Sequence, residues 1–306
     1  MNMLVRIGLC VVYLALSSPL AARDFDKGLA AAQSGDFETA LREWQPLAEQ
    51  GDAVAQYNVG VMYKNGEGVA VNTAVAAHWY RLSADQGYAP AQDAMGTFHE
   101  YGIDVPEDYA EALRWYRLSA EQGYAPAQNN LGFMYSDGRG VPTDRMEALH
   151  WYRLSAEQGY ARALYNLGIA FDIGEGVSQD FAEAARYYRL AAEQGHSNAQ
   201  FSLGVMCRSG EGVPVDYAEA VRWYRLSALQ GHAKAQHNLG FMYKNGMGVP
   251  QDFVLAHMWY NISGANGQEQ AGDRREAMKP LMTSEQIAEA QIRARNCMSS
   301  GYRDCD

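Results

Sequence analysis

The residues of this chain that could do chemistry are four carboxylate pairs, seven histidines, four cysteines and a set of glycine-rich loops. Asp108/Glu111, Asp144/Glu147, Asp180/Glu183 and Asp216/Glu219 each place two carboxylates three residues apart on one helix face, where one could donate a proton and the other accept it. The same spacing also opens a helix: the Asp accepts from the amide three residues on, and the Glu reaches back to the Asp amide. Capping accounts for every pair, so the sequence assigns them no catalytic role. His78 and His150 stand where other parts of the chain have Arg114, Arg186 and Arg222, and His196 and His232 stand where others have Tyr88, Tyr124 and Tyr160. Slots that accept such different side chains are exposed or half-exposed, and the pattern predicts no metal site. The chain lacks Gly-x-Ser-x-Gly, His-Glu-x-x-His, Cys-x-x-Cys and a glycine loop ending in Lys-Ser/Thr. Its Gly-x-Gly-Val-Pro segments follow helices, not strands, and read as turns. No catalytic residue, cofactor or metal is predicted.

The cysteines speak of compartment more than of reactivity. Cys297 and Cys305 bracket a short loop containing Gly301 and would form a disulfide in an oxidising compartment, with two free thiols as the alternative. Cys207 takes a slot filled elsewhere by Tyr63, Tyr135, Phe171 and Tyr243, so it is expected to be a buried, silent thiol. Residues 1–22 read as an export signal: a single cation at Arg6, an apolar run Ile7–Leu16, and small residues up to Ala22. The apolar run is too short to span a bilayer. Bacterial periplasm or secretion is the expected location, with no integral membrane segment after cleavage. A formal net charge of −11 without a basic stripe disfavours nucleic acid as a partner.

The elements that must position these residues are set by a period of 36 residues. Gln-Gly recurs at 86–87, 122–123, 158–159, 194–195 and 230–231, a single glycine at Gly60, Gly96, Gly132, Gly168, Gly204 and Gly240, and an aromatic pair from Trp79-Tyr80 to Trp259-Tyr260. Such a period means a solenoid, propeller or array. Within one copy, Ala127, Leu131, Met134 and Tyr135 share a helix face; Gly138, Gly140 and Pro142 break the helix. Asp144 starts a second helix that carries Trp151-Tyr152 and ends at Gln158-Gly159. A glycine in mid-helix costs about 1 kcal/mol relative to alanine, so its recurrence implies close approach of the paired helix.

The units Ala-x-Ala-Gln-x-x-Leu-Gly-x-Met-Tyr, Gly-x-Gly-Val-Pro-x-Asp-Tyr and Ala-x-x-Trp-Tyr-Arg-Leu-Ser-Ala-Glu-Gln-Gly resemble the Sel-one-like repeat family, the 36-residue relative of the tetratricopeptide repeat. Departures are local: Asp104 replaces a loop glycine, and Ala70 and Ser178 replace the loop proline. The resemblance implies an all-α fold, a right-handed α-solenoid of helix–turn–helix repeats. The expected organisation is a signal peptide at 1–22, a short helical repeat acting as a cap at 23–52, six repeats at 53–267, and C-terminal capping helices with the disulfide loop at 268–306. A capping box at Thr283/Gln286 is expected to open a last helix running through Ile287 and Ile292.

The resemblance further implies a scaffold or adaptor, a monomer that binds a protein or extended peptide on the concave face lined by the first helix of each pair. The alternative is an enzyme of the cysteine-rich Sel-one-like type acting on β-lactam or cell-wall substrates, which the single cysteine within the six repeats disfavours. Transferred onto this sequence, the face comprises Tyr57, Asn58, Val61, Lys64 and Asn65; Asn129, Asn130, Phe133 and Ser136; Tyr165, Asn166, Ile169 and Asp172; Phe201, Ser202, Val205 and Arg208; and His237, Asn238, Phe241 and Lys244. Asparagine recurs at one slot, Asn58, Asn130, Asn166 and Asn238, as a ladder of amides able to grip a peptide backbone; the aromatics would be apolar anchors.

Overall fold

The computed structural model describes residues 19–305, and every regular element among them is a helix. Residues 1–18, which carry most of the expected export signal, lie outside the described residues, as does residue 306. None of the described helices is long and apolar enough to cross a membrane.

The described chain divides into two compact units within the copy that begins at Ala125: residues 19–127 with 139–142, and residues 128–138 with 143–305. The first unit holds α1 (Pro19–Ser34), α2 (Phe37–Glu49), and the pairs α3 (Ala53–Asn65)/α4 (Thr73–Asp85) and α5 (Ala89–Tyr101)/α6 (Tyr109–Glu121). The second unit holds the body of α7 (Ala125–Asp137) with α8 (Arg145–Glu157), then α9 (Ala161–Ile173)/α10 (Phe181–Glu193), α11 (Ser197–Ser209)/α12 (Tyr217–Ala228) and α13 (Ala233–Asn245)/α14 (Phe253–Ala265). It closes with α15 (Glu269–Glu276), a 3-10 turn and α16 (Ser284–Ser299). This is the all-α repeat solenoid that the period predicts.

One ring explains the mid-helix glycine. A Cβ on Gly96 would stand 2.5 Å from a ring carbon of Tyr116, and one on Gly132 would stand 2.8 Å from the ring of Tyr152. The same match joins Gly60 to Tyr80, Gly168 to Tyr188, Gly204 to Tyr224 and Gly240 to Tyr260. The second aromatic of each pair is therefore the uniform core residue. The first is variable: Trp115, Trp223 and Trp259 are buried, whereas Trp79, Trp151 and Tyr187 are half-buried.

The second helices are capped as the sequence predicts, but only by half of the expected box. Asn72, Asp108, Asp144, Asp180, Asp216 and Asp252 all accept from first-turn amides, each such cap being worth about 1 kcal/mol. The reciprocal glutamates turn elsewhere: Glu111 to Arg114, Glu183 to Arg186, Glu147 to the Trp151 indole at 2.8 Å, and Glu219 to Arg189 at 2.7 Å. A charged or half-buried donor is a better partner than an amide that water reaches. Among the described residues the full box forms at Thr283/Gln286.

Buried amides and hydroxyls stitch neighbouring helices together. In the first unit, the Gln56 amide donates to the Ala48 carbonyl at 3.0 Å and its oxygen accepts from Gln86 at 2.8 Å. Gln92 and Gln122 repeat the arrangement, and the Ser119 hydroxyl donates to the Ala89 carbonyl at 2.7 Å. In the second unit, Gln200 with Gln230 and Gln236 with Asn266 do the same. Leu164 and Ala191 interrupt the series with apolar side chains, and Gln194 keeps only its bond to the Leu190 carbonyl. At the C-terminus Cys297 and Cys305 form the disulfide, and Tyr302 donates to Asn266 at 2.9 Å. The terminal helix α16 packs through Ala290, Ala294 and Cys297, while Ile292 faces solvent.

Candidate partner-binding face

The first helix of each pair presents the residues that sequence analysis singles out, and they fall into three kinds. Asn58 and Asn129 are buried, not laid open on a face. Asn129 accepts from the Asn166 amide at 2.9 Å and donates to Asn130 at 3.4 Å, so three asparagines tie α7 to α9 instead of standing as parallel rungs.

Aromatic and imidazole rings form the second kind. Each packs on the tyrosine that fills the helix glycine: Tyr57 on Tyr80 at 5.6 Å, Tyr165 on Tyr188 at 5.7 Å, Phe201 on Tyr224 at 6.1 Å, and His237 on Tyr260 at 5.2 Å. Three also touch the residue opening the next first helix: Tyr88 for Tyr57, His196 for Tyr165 and His232 for Phe201. These rings are half-buried, whereas Phe133 is 38% exposed.

Polar residues four positions after the helix glycine form the third. Tyr116 donates to Glu100 at 2.7 Å and Tyr188 to Asp172 at 3.1 Å, while Ser136 faces the Tyr152 hydroxyl. Burial pushes all these phenols well above the ordinary tyrosine range. Glu100, which the sequence reading did not single out, is buried and ion-paired to Arg139 at 3.0 Å. Lys64 is exposed, Lys244 is half-exposed, and Phe241 lies 5.9 Å from the Arg208 guanidinium carbon.

Two histidines have a role that the sequence reading missed. His196 and His232 are N-caps: each Nδ1 accepts from a backbone amide, Ala199 at 3.2 Å and Ala235 at 3.1 Å. Their position was the available signal, because Asp52 caps α3 from the same slot. Burial lowers both pKa values and keeps the rings neutral, as an accepting Nδ1 requires. Burial also pushes the Cys207 thiol up to about 11, so it stays protonated.

In the second unit, α7, α8 and α9 enclose a cavity of about 170 Å³. Phe133 and Ser136 line it from α7, Leu149 and Tyr152 from α8, Asn166 and Ile169 from α9, with the Arg145–Glu175 ion pair at its edge. From the face predicted by sequence it gathers Phe133, Ser136, Asn166 and Ile169; the remaining residues of that set lie outside it. No group of three metal-ligating side chains exists among the described residues.

Six consecutive stretches, 53–88, 89–124, 125–160, 161–196, 197–232 and 233–268, match the Sel1 repeat family model. A Sel1 repeat protein from Oxalobacter formigenes is similar at 32% identity and a TM-score of 0.71, over 78% of this chain and 96% of its own. A protective antigen present in uropathogenic Escherichia coli strains, displaying an SLR fold, is 28% identical with a TM-score of 0.55, over 92% of this chain and 70% of its own. An immunity protein from Pseudomonas aeruginosa, 22% identical with a TM-score of 0.50 over 70% of this chain and 83% of its own, shares the fold. No curated protein matches. With the repeat unbroken from Ala53 to Gln268 and the glycine–tyrosine match present in every copy, the chain belongs to the Sel1 repeat family.

Proposed function

We propose that this protein is an exported scaffold that binds a protein partner as an extended segment across the first-helix faces. The Sel1 repeat fold is consistent with protein partners. The observation that carries the reading further is the cavity between α7, α8 and α9 with Phe133 at its mouth. Its 170 Å³ compares with the about 150 Å³ apolar cavity that accommodates a benzene ring, so one apolar side chain of a partner fits. The Asn166 side chain, which gives one amide proton to Asn129, keeps its oxygen as an acceptor for the partner backbone. Export is supported by the Cys297–Cys305 disulfide together with the residue pattern at 1–22. The uropathogenic relative is a protective antigen, which fits a molecule that reaches the cell exterior.

The test is crosslinking capture of the mature chain from envelope extract, with the partner identified by mass spectrometry. Phe133→Ser should remove the captured band while leaving the melting temperature within a degree or so, because Phe133 is already substantially exposed. Undiminished capture by that variant would refute the cavity as the anchor point.

A further inference from the structure

The end of the second unit carries an excess of hydrogen-bond donors without acceptors. At the slot four residues after the helix glycine, Glu100 and Asp172 accept from their tyrosines, but the next copy places Arg208 there. Arg208 and the Asn238 side chain lie beside the buried Tyr224 hydroxyl, which forms no hydrogen bond within 3.5 Å, and Arg208 Nε is itself buried and unpartnered. One repeat further on, the pattern recurs with other residues. The Tyr260 hydroxyl and His237 Nδ1 are buried and unpartnered, and the charge of Arg274 on α15 acts on both. Tyr224 and Tyr260 are at most 1% exposed. Neither Arg208 nor Arg274 forms an ion pair among the described residues, whereas Arg189, Arg222 and Arg275 nearby all do.

A guanidinium offers only donors, so Arg208 and Arg274 give the phenols beside them nothing that accepts a proton. A buried donor left unpartnered is costly, so two such sets in successive copies make room for an acceptor from outside the chain. The chemistry that satisfies every one of these groups is a carboxylate, which accepts through both oxygens and carries the opposite charge. The Phe241 ring, 5.9 Å from the Arg208 guanidinium carbon, supplies an apolar wall beside it.

Building on the scaffold reading above, we infer that α11, α13 and α15 form a docking site for an acidic segment of the partner, with one carboxylate set at Arg208–Tyr224 and another at Arg274–His237–Tyr260. Acidic side chains on an extended peptide would bind these donors while an apolar neighbour lies on Phe241.

The test uses the full mature chain against an array of short peptides in matched pairs that differ only in Glu against Gln. The Glu members should bind about tenfold more tightly than their Gln twins, with a preference that shrinks at high salt. Arg208→Gln/Arg274→Gln should abolish that preference, and Arg293→Gln, which removes a paired surface cation on α16, should leave it intact. Should the loss of Arg208 lower the melting temperature, Arg274→Gln alone carries the test, since Arg274 is exposed. Equal binding of the twins, no binding by any member, or a preference that survives the double variant would overturn the proposal. Competition by inorganic phosphate as strong as that by the acidic peptide would overturn it too, by assigning the site to a free anion. Equal twins with Phe133-dependent capture intact would sink the acidic site alone; lost capture with the Glu preference intact would sink the cavity reading instead.

Discussion

Replacing Gly96 with alanine tests the packing rule on which the whole repeat rests. In an isolated helix the change is favourable by about 1 kcal/mol. Here the new methyl would lie 2.5 and 2.6 Å from two ring carbons of Tyr116 and 3.0 Å from a third, against a normal carbon–carbon contact of about 3.5–4.0 Å. The ring would have to retreat by about 1 Å. Tyr116 is 1% exposed, and its hydroxyl is held by Glu100 at 2.7 Å, so retreat disturbs a buried bond to a charged group. Overpacking costs about 1–3 kcal/mol, and weakening that bond adds about 1–2 kcal/mol. Less the helix gain, Gly96→Ala should destabilise by about 1–4 kcal/mol. Gly272→Ala is the matched control: this helical glycine has nothing within 4 Å of its would-be Cβ, and the change should stabilise by up to about 1 kcal/mol. Urea unfolding followed by far-UV circular dichroism measures both. In a Tyr116→Leu background most of the Gly96→Ala cost should vanish, giving a coupling energy above about 1 kcal/mol. A Gly96→Ala protein as stable as the parent, or an additive cycle, would refute the account of the glycine.

Three further predictions follow from the same contacts. Gln92→Leu deprives Gln122 of its acceptor and the Ala84 carbonyl of a donor, and urea unfolding should show a loss of about 1–3 kcal/mol; a neutral result would mean that the glutamine series is incidental. Asp104 adopts a φ of 52° where other copies use glycine, so Asp104→Gly should gain about 0.5–1 kcal/mol, the left-handed penalty exceeding the entropy of glycine; a loss of stability would show that the Asp side chain contributes there. Burial lowers the pKa of His196, His232, His237 and His257 in the folded chain, so as pH falls below about 6.5 the unfolded chain takes up protons first. Their contribution is therefore full above that pH and is lost as pH falls toward the folded values. His196→Asn/His232→Asn, which keeps a capping oxygen that does not titrate, should flatten the fall in melting temperature between neutral pH and about pH 5, and an unchanged slope would exclude the caps as its source.

Much of the fold was legible because a period of 36 residues fixes both the helix and its neighbour. Gly132, Gly138 and Asp144 each answer a local requirement: room in a helix, a left-handed turn and a first-turn acceptor. The face was less legible. Asn58, Asn129, Asn130 and Asn166 look alike in sequence, yet Asn166 donates to Asn129, which is buried, while Asn130 is half-exposed. Gln122 reads in the sequence only as a helix end, because the bond that joins it to Gln92 spans 30 residues.

By itself the sequence determined the repeat, its helices and the Asp and Asn caps of the second helices, and it predicted the pairing of Cys297 with Cys305, because each depends on residues close along the chain or on a recurrence that can be counted. Only the tertiary structure decided which ring fills the glycine gap, where Glu111 and Glu147 turn, and which donors end without an acceptor. Those outcomes depend on which side chains from different helices meet and what charge each brings. The contrast between Asp172, which satisfies its tyrosine, and Arg208, which leaves its own unsatisfied, is written in the letters at 172 and 208. It acquires chemical meaning only when α10 and α12 bring Tyr188 and Tyr224 against them.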